Sequence, residues 1–164
     1  QAGNFVAPAN QISANGFKTI VEIDLIGTFN LFRSSWDFLK KPGASLIAIT
    51  TPSASKPVTN QAHVCSAKAG VNMLIKCLAL EWGGSGIRVN GISPGPVMDS
   101  FGMDKVLATD KAIQEKVLSM LPLGRYAHSS EISKLGQFLA SDDSSYITGT
   151  ILDIDGGMQL NMHS

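Results

Sequence analysis

A chain of 164 residues with 13 basic and 13 acidic side chains and 44% hydrophobic content has room for one packed domain and no net charge. That balance removes the electrostatic reason to expect nucleic acid or an anionic membrane as partner. No apolar run reaches the ~18–20 residues of a bilayer span, and the opening QAGNFVAPAN does not read as a signal peptide.

Ser13 is placed to cap a long helix running to about Lys40. Its apolar positions Phe17, Ile20, Val21, Leu25, Phe29 and Phe32 recur at intervals of three and four, with Thr28 and the charged Asp24 on the same stripe. Pro42-Gly43 ends it. SLIAIT, residues 45–50, is a short apolar run of the kind a parallel sheet buries. After a loop containing Pro52 and Pro57 comes a second helix, about Gln61 to Gly83, closed by the turn Gly83-Gly84-Ser85-Gly86. IRVNGIS, residues 87–93, reads as the next strand, and Pro94-Gly95-Pro96 stops it. Residues 98–121 are mixed and helical in character, and Ser129, Ser130 and Glu131 open a further helix to about Ala140. GTILDIDGG, residues 149–157, is a last strand and turn.

Helices alternating with apolar strands predict an α/β fold with right-handed crossovers and a parallel sheet, in a single domain over residues 1–164. Three strands are fewer than the six or so of a complete doubly wound sheet. No glycine-rich strand-to-helix turn of the kind that cradles a pyrophosphate is present.

Cys65 and Cys77 lie too far apart along one helix to pair, and both are expected as buried thiols in a reducing compartment. His63, His128 and His163 show no ligand-like spacing, so no metal site is expected. The informative polar residues stand in apolar company. Asp24, in VEIDLIGTF, faces inward on the helical stripe and needs a partner or a proton. Lys68, in CSAKAGV, is flanked by small residues that let another group approach, and a confined lysine can serve as donor or proton relay.

These segments, in this order, resemble the C-terminal two-thirds of a short-chain dehydrogenase/reductase. Ala2-Gly3 resembles the family's Asn-Ala-Gly strand end, DLIGTFN (24–30) its Asn-x-x-Gly segment, and SAKAGV (66–71) the surroundings of its active-site lysine. GIRVNGISPGPV (86–97) resembles the strand and loop that meet the nicotinamide, PLGRYAHSSEI the Pro-Leu-Gly-Arg turn, and SSYITGTILDIDGG the final strand. The departures are specific: Val64 stands at the tyrosine position, Asp24 at the asparagine and Thr51 at the serine, while Tyr126 and Tyr146 fall elsewhere.

Within the superfamily the chain is most similar to peroxisomal-type 2,4-dienoyl-CoA reductases. That branch also has a histidine five before the lysine and a small apolar residue in place of tyrosine, as His63 and Val64 stand here. The resemblance implies the C-terminal portion of a doubly wound Rossmann-type parallel sheet with flanking helices, the N-terminal cofactor-binding half lying outside the chain. It implies NADPH as cofactor, with NADH left open, and an acyl-CoA substrate. By resemblance Asp24 and Lys68 are catalytic, Thr51, Ser53 and His63 meet substrate, and Ala2, Gly3, Lys68, Pro94, Gly95 and Val97 hold the cofactor. Residues 98–128 correspond to a variable substrate lid. The two long helices imply a homo-oligomer, a tetramer for the complete protein. MQLNMHS at the C-terminus is not a Ser-Lys-Leu signal, which leads to an expectation of cytoplasm. Two other readings stand beside this one: a different tyrosine-less reductase of acyl or enoyl thioesters, and a non-catalytic scaffold subunit.

Overall fold

A computed structural model of the chain describes residues 5–100, 103 and 111–161. Its centre is a three-stranded parallel sheet of β1 (Ser45–Ile49), β2 (Arg88–Pro94) and β3 (Ile151–Ile154), in the order β1-β2-β3. Ser45 pairs with Arg88 and Ile49 with Ile92, while Gly91 pairs with Ile151 and Pro94 with Ile154.

The helices are α1 (Ala14–Val21), α2 (Gly27–Ser35), α3 (Ala62–Trp82), α4 (Lys111–Ser119), α5 (Ser129–Ala140) and the short α6 (Met158–Asn161). They cover both faces of the sheet, and β2 shows how. A Cβ on Gly91 would meet Ile75 of α3, and Val89 packs in the cluster with Val71, Ile75, Leu78 and Ala79. On either side of them in the strand, Arg88 donates to the Leu139 carbonyl of α5, and Ile92 lies beside Gly136 of the same helix. Successive side chains of a strand point to opposite faces, so α3 and α5 sit on opposite sides. That is the doubly wound arrangement expected from the alternation of elements.

The first long helix is not uniform. Between α1 and α2 the residues Glu22–Ile26 form a π turn, in which the Gly27 N–H reaches back five residues to the Glu22 carbonyl. The Thr28 hydroxyl donates to the Asp24 carbonyl at 2.6 Å, satisfying an oxygen inside the widened turn. The extra residue shifts the helical phase beyond it, and the expected apolar stripe is only part inward. Ile20 and Phe32 are buried, but Phe17 and Phe29 are 38% and 41% exposed. Leu25 packs where Gly70 of α3 leaves space, since a Cβ there would lie 2.7 Å from its Cδ2.

The turn after α3 is as read from its glycines: a short 3-10 segment at Gly83–Ser85, then Gly86 at φ +72°, where a side chain would collide with Pro42. One expectation needs correction. Cys65 is half-buried and Cys77 exposed, because α3 turns Val71, Ile75 and Leu78 to the sheet and leaves Cys77 on the outer face with Met73 and Leu80. The helix that Ser129 opens runs to Ala140, as expected; His128 caps it, and the Glu131 carboxylate accepts from the His128 N–H at 2.9 Å. Among the described residues no helix is long and apolar enough to cross a membrane.

Candidate active site

β1 ends at Ile49, and the loop that follows turns Thr51 and Ser53 toward the N-terminal end of α3. Asn60, at φ +65°, reverses the chain so that α3 begins immediately after Gln61. Gln61, Val64 and Lys68 are spaced by three and four and lie along one helical face. Together with Asp24, Thr51 and Ser53 they line a cavity of about 300 Å³.

Asp24 and Lys68, distant in sequence, form an ion pair there at 3.3 Å. The π turn presents the carboxylate and the first turns of α3 present the ammonium. Lys68 also donates to the Ile49 carbonyl at 3.3 Å, so one cation ties the end of β1 to the π turn. The side chains are 21% and 26% exposed for Lys68 and Asp24, which leaves the pair partly desolvated and still open to the cavity. The inward aspartate of the sequence thus has the partner that its burial demanded.

Val64 forms part of the wall and packs with Ile20 and Ala67. A hydroxyl is available here only from Thr51 and Ser53 among the described lining residues, and those two are 3.3 Å apart and hydrogen-bonded. Tyr126 is buried elsewhere, its hydroxyl donating to the Gln114 carbonyl, and Tyr146 is fully exposed. Neither approaches the pair's cavity.

A second cleft of about 250 Å³ continues from the first, sharing Thr51, Ser53 and Gln61 and adding Pro94, Gly95 and Pro96. The loop after β2 comes close because Gly95 has no side chain. A Cβ there would lie 2.7 Å from the Asp155 Cα and 2.9 Å from its carbonyl oxygen. Val97, expected with this group, is not part of the cleft lining. It forms a bridge with Ala127, and its carbonyl accepts from Ser100. Ala2 and Gly3 lie outside the described residues.

His63 is fully buried and stacks on Phe5 with ring centroids 4.2 Å apart, and it lines neither cleft. Among the described residues, neither of its ring nitrogens has a hydrogen-bond partner. Gln61, Pro96 and Met158 complete the clefts and were not among the residues expected from the sequence. For Gln61 a signal existed, since it precedes Val64 by three and Lys68 by seven. Among the described residues no cluster of histidine, cysteine or carboxylate side chains could hold a metal ion.

The base of the expected lid is held by charge-assisted contacts. Arg125 donates two bonds of 2.8 Å to Glu131. This guanidinium, aided by the His128 N–H, holds the Glu131 carboxyl down at about 2. Ser129 donates from both its hydroxyl and its N–H to Asp99, which lowers the Asp99 carboxyl below its ordinary range.

Residues 2–159 match the family described as Enoyl-(Acyl carrier protein) reductase. The Peroxisomal 2,4-dienoyl-CoA reductase ((3E)-enoyl-CoA-producing) of Pongo abelii is 38% identical over 160 residues, covering 97% of this chain and 54% of that protein. A Bacillus subtilis protein named Probable 2,4-dienoyl-CoA reductase ((2E)-enoyl-CoA-producing) is 40% identical over 164 residues, covering 98% and 64%. A crystal structure of a short chain dehydrogenase from Bacillus anthracis superposes with a TM-score of 0.79 at 34% identity, over 95% of this chain and 60% of that one. A gluconate 5-dehydrogenase from Burkholderia cenocepacia, in complex with NADP and tartrate, gives 0.85 at 25% identity, over 96% and 61%. The chain spans about half the length of the peroxisomal relative, 54%. The chain belongs to this reductase family, within the short-chain dehydrogenase/reductases, and its sheet is of their Rossmann type.

Proposed function

We propose that the protein carrying this chain, as a member of that family, is an NADPH-dependent 2,4-dienoyl-CoA reductase of unsaturated fatty acid β-oxidation that yields a 3-enoyl-CoA. The observation that carries the reading is the Asp24–Lys68 pair at 3.3 Å in a cavity walled by Val64 where a phenol would otherwise stand. The names of the relatives, 2,4-dienoyl-CoA reductases at 38% and 40% identity, support it.

The residues fit a nicotinamide. Lys68 offers an ammonium to ribose hydroxyls, and Pro94 and Gly95 bring backbone to a cleft that shares Thr51, Ser53 and Gln61 with the lysine's cavity. When bound, the reduced cofactor supplies a hydride to the δ-carbon of the dienoyl thioester. Charge then gathers on the thioester oxygen, where the hydroxyls of Thr51 and Ser53 stand as donors. Lys68 and Asp24 orient a water that delivers a proton to the α-carbon. No ketone becomes an alcohol in this chemistry, so Val64 costs nothing there. His63 acts at one remove, as the packed base of the helix that carries Lys68.

NADPH is preferred over NADH in this reading on family resemblance alone; structural neighbours in complex with NADP and with NADH support a nicotinamide cofactor of either kind. A homo-oligomer, a tetramer in the complete protein, is proposed on family resemblance, and apolar residues left outward on the helices are in keeping with it. These are Ile23, Ile26 and Leu31 on the first helical region and Met73 and Leu80 on α3. The unpaired thiols Cys65 and Cys77 accord with a reducing compartment, and cytoplasm is the one we assign.

The test is NADPH oxidation with 2,4-hexadienoyl-CoA by the full-length protein, with the product's double bond located by NMR. Turnover to the 3-enoyl thioester supports the reading. A 2-enoyl product places the protein with its Bacillus relative's chemistry, and no turnover overturns the reading altogether.

A further inference from the structure

The cleft lined by Thr51, Ser53, Gln61 and the Pro94-Gly95-Pro96 loop does not end at Val58 and Met158. Both residues also line a third and larger space of about 760 Å³, between the loop at Pro57–Thr59, the end of α4 and α6. Three cavities joined by shared walls therefore run from the Asp24–Lys68 pair to the outer face. The inner two have about 300 and 250 Å³, in keeping with a nicotinamide ring and a short acyl thioester. The outer one has the volume of a site for a second ligand of drug-like size.

Its chemistry is graded. Met120 and Met158 provide adaptable apolar surface, and the hydroxyls of Thr59 and Ser119 provide polar contacts. Lys116 is the one charged residue among the described residues lining the outer space. Among the described residues it has no ion-pair partner, whereas its neighbours Lys111 and Glu115 are 3.9 Å from each other. At the inner end Asp24 and Lys68 balance each other, so among the described lining residues the connected space carries its unbalanced positive charge at the outer end.

We propose that this outer space takes the phosphopantetheine arm of the thioester, and that Lys116 contacts its phosphate and sets a preference for phosphorylated over unphosphorylated carriers. The inference rests on the acyl-thioester reading above and deepens it. A pantetheine arm presents two amides and a gem-dimethyl group before its phosphate, matching hydroxyls and methionines that precede a cation. The phosphate is common to coenzyme A and to a carrier protein's prosthetic arm, and a lysine recognises it as a point charge.

Titration calorimetry on the full-length protein tests this with coenzyme A, 4′-phosphopantetheine and pantetheine, each against wild type, Lys116→Ala and Lys116→Glu. Lys134→Glu, on the exposed side of α5, serves as the control for net charge. For the two phosphorylated ligands Lys116→Ala should weaken binding about 3-fold and Lys116→Glu about 10-fold, the scale of an exposed ion pair and its reversal. Pantetheine affinity and the Lys134→Glu control should stay at wild-type level. Equal weakening of pantetheine, or no change with any ligand, overturns the inference. A response with coenzyme A but not phosphopantetheine also overturns it, since the lysine would then meet the nucleotide end. If dienoyl-CoA is not reduced yet coenzyme A binding depends on Lys116 as stated, the reductase reading fails and the phosphate contact stands.

Discussion

Removing the cation from the Asp24–Lys68 pair tests the site most directly. In Lys68→Met the carboxylate of Asp24, 26% exposed, loses a partner at 3.3 Å, and the Ile49 carbonyl loses a donor at the same distance. At that separation and an effective dielectric near 20 the gross Coulomb attraction is about 5 kcal/mol. Most of it is offset by desolvation of both groups, so the variant should lose about 1–3 kcal/mol of stability, below the cost of orphaning a fully buried charge. Asp24→Asn keeps the shape and removes only the charge, and should cost about 1 kcal/mol. The double variant should be less destabilised than the sum, with a coupling of about 1 kcal/mol. Denaturant melts of the four proteins give these numbers. Turnover of dienoyl-CoA by the same four proteins should fall about 10²–10⁴-fold in each single variant, the usual weight of a positioned proton donor. Asp24→Asn with kcat within about 3-fold of wild type, alongside a measured stability coupling, would refute the catalytic argument and leave a structural pair.

Three further outcomes follow from other parts of the molecule. Gly95→Ala places a Cβ 2.7 Å from the Asp155 backbone, which cannot step aside as a side chain can. It should cost about 1–3 kcal/mol and weaken dinucleotide binding, read by thermal melts with and without NADPH; an unshifted melt would contradict the crowding. Glu131 is held at about 2 against an ordinary 4.5, so its contribution is complete above 4.5 and is lost as pH falls toward 2. The melting temperature should drop across that window, and Glu131→Gln should remove that share of the drop; an unchanged pH profile in the variant would count against the Arg125 contact. Cys77, exposed on the outer face of α3, should react with a maleimide faster than the half-buried Cys65 in dilute monomer. It should become protected as the protein associates through that face, and equal rates across a concentration series checked by sedimentation would exclude the α3 face from the interface.

The sheet was legible because its strands carry their own boundaries. Ser45–Ile49 and Arg88–Pro94 differ by a residue from the apolar runs that Pro-Gly turns delimit. That Asp24 needs a partner or a proton was also legible from a charge on an apolar stripe, while its pairing with Lys68 came from the family resemblance. What escaped the sequence was phase. A π turn at Glu22–Ile26 has no periodicity of its own, and a stripe drawn through it at uniform helical spacing assigns Phe29 too deep. Cys77 escaped for a related reason. On a helix with apolar residues on both faces, periodicity shows that α3 is buried somewhere, and only the packing of Val71 and Ile75 says on which side. His63 was invisible as a core residue because its ring stacks on Phe5, more than fifty positions away.

The π turn and Val64 belong to one arrangement. Widening the helix by one residue at Glu22–Ile26 carries Asp24 to within 3.3 Å of the ammonium. Gly70, lacking a side chain, admits Leu25 from the same turn, so the turn seats closely on α3. With the carboxylate in place, a bulky acid at residue 64 would compete for the space that lies between Asp24, Lys68 and Thr51. Valine instead packs on Ile20 and Ala67 and leaves that space to solvent or substrate. The polar group and the cavity it faces come from residues four apart on α3 and from a distortion forty residues earlier, so neither can change alone. Restoring a phenol at Val64 without straightening the turn should therefore crowd the pair and lower turnover, not add a second acid.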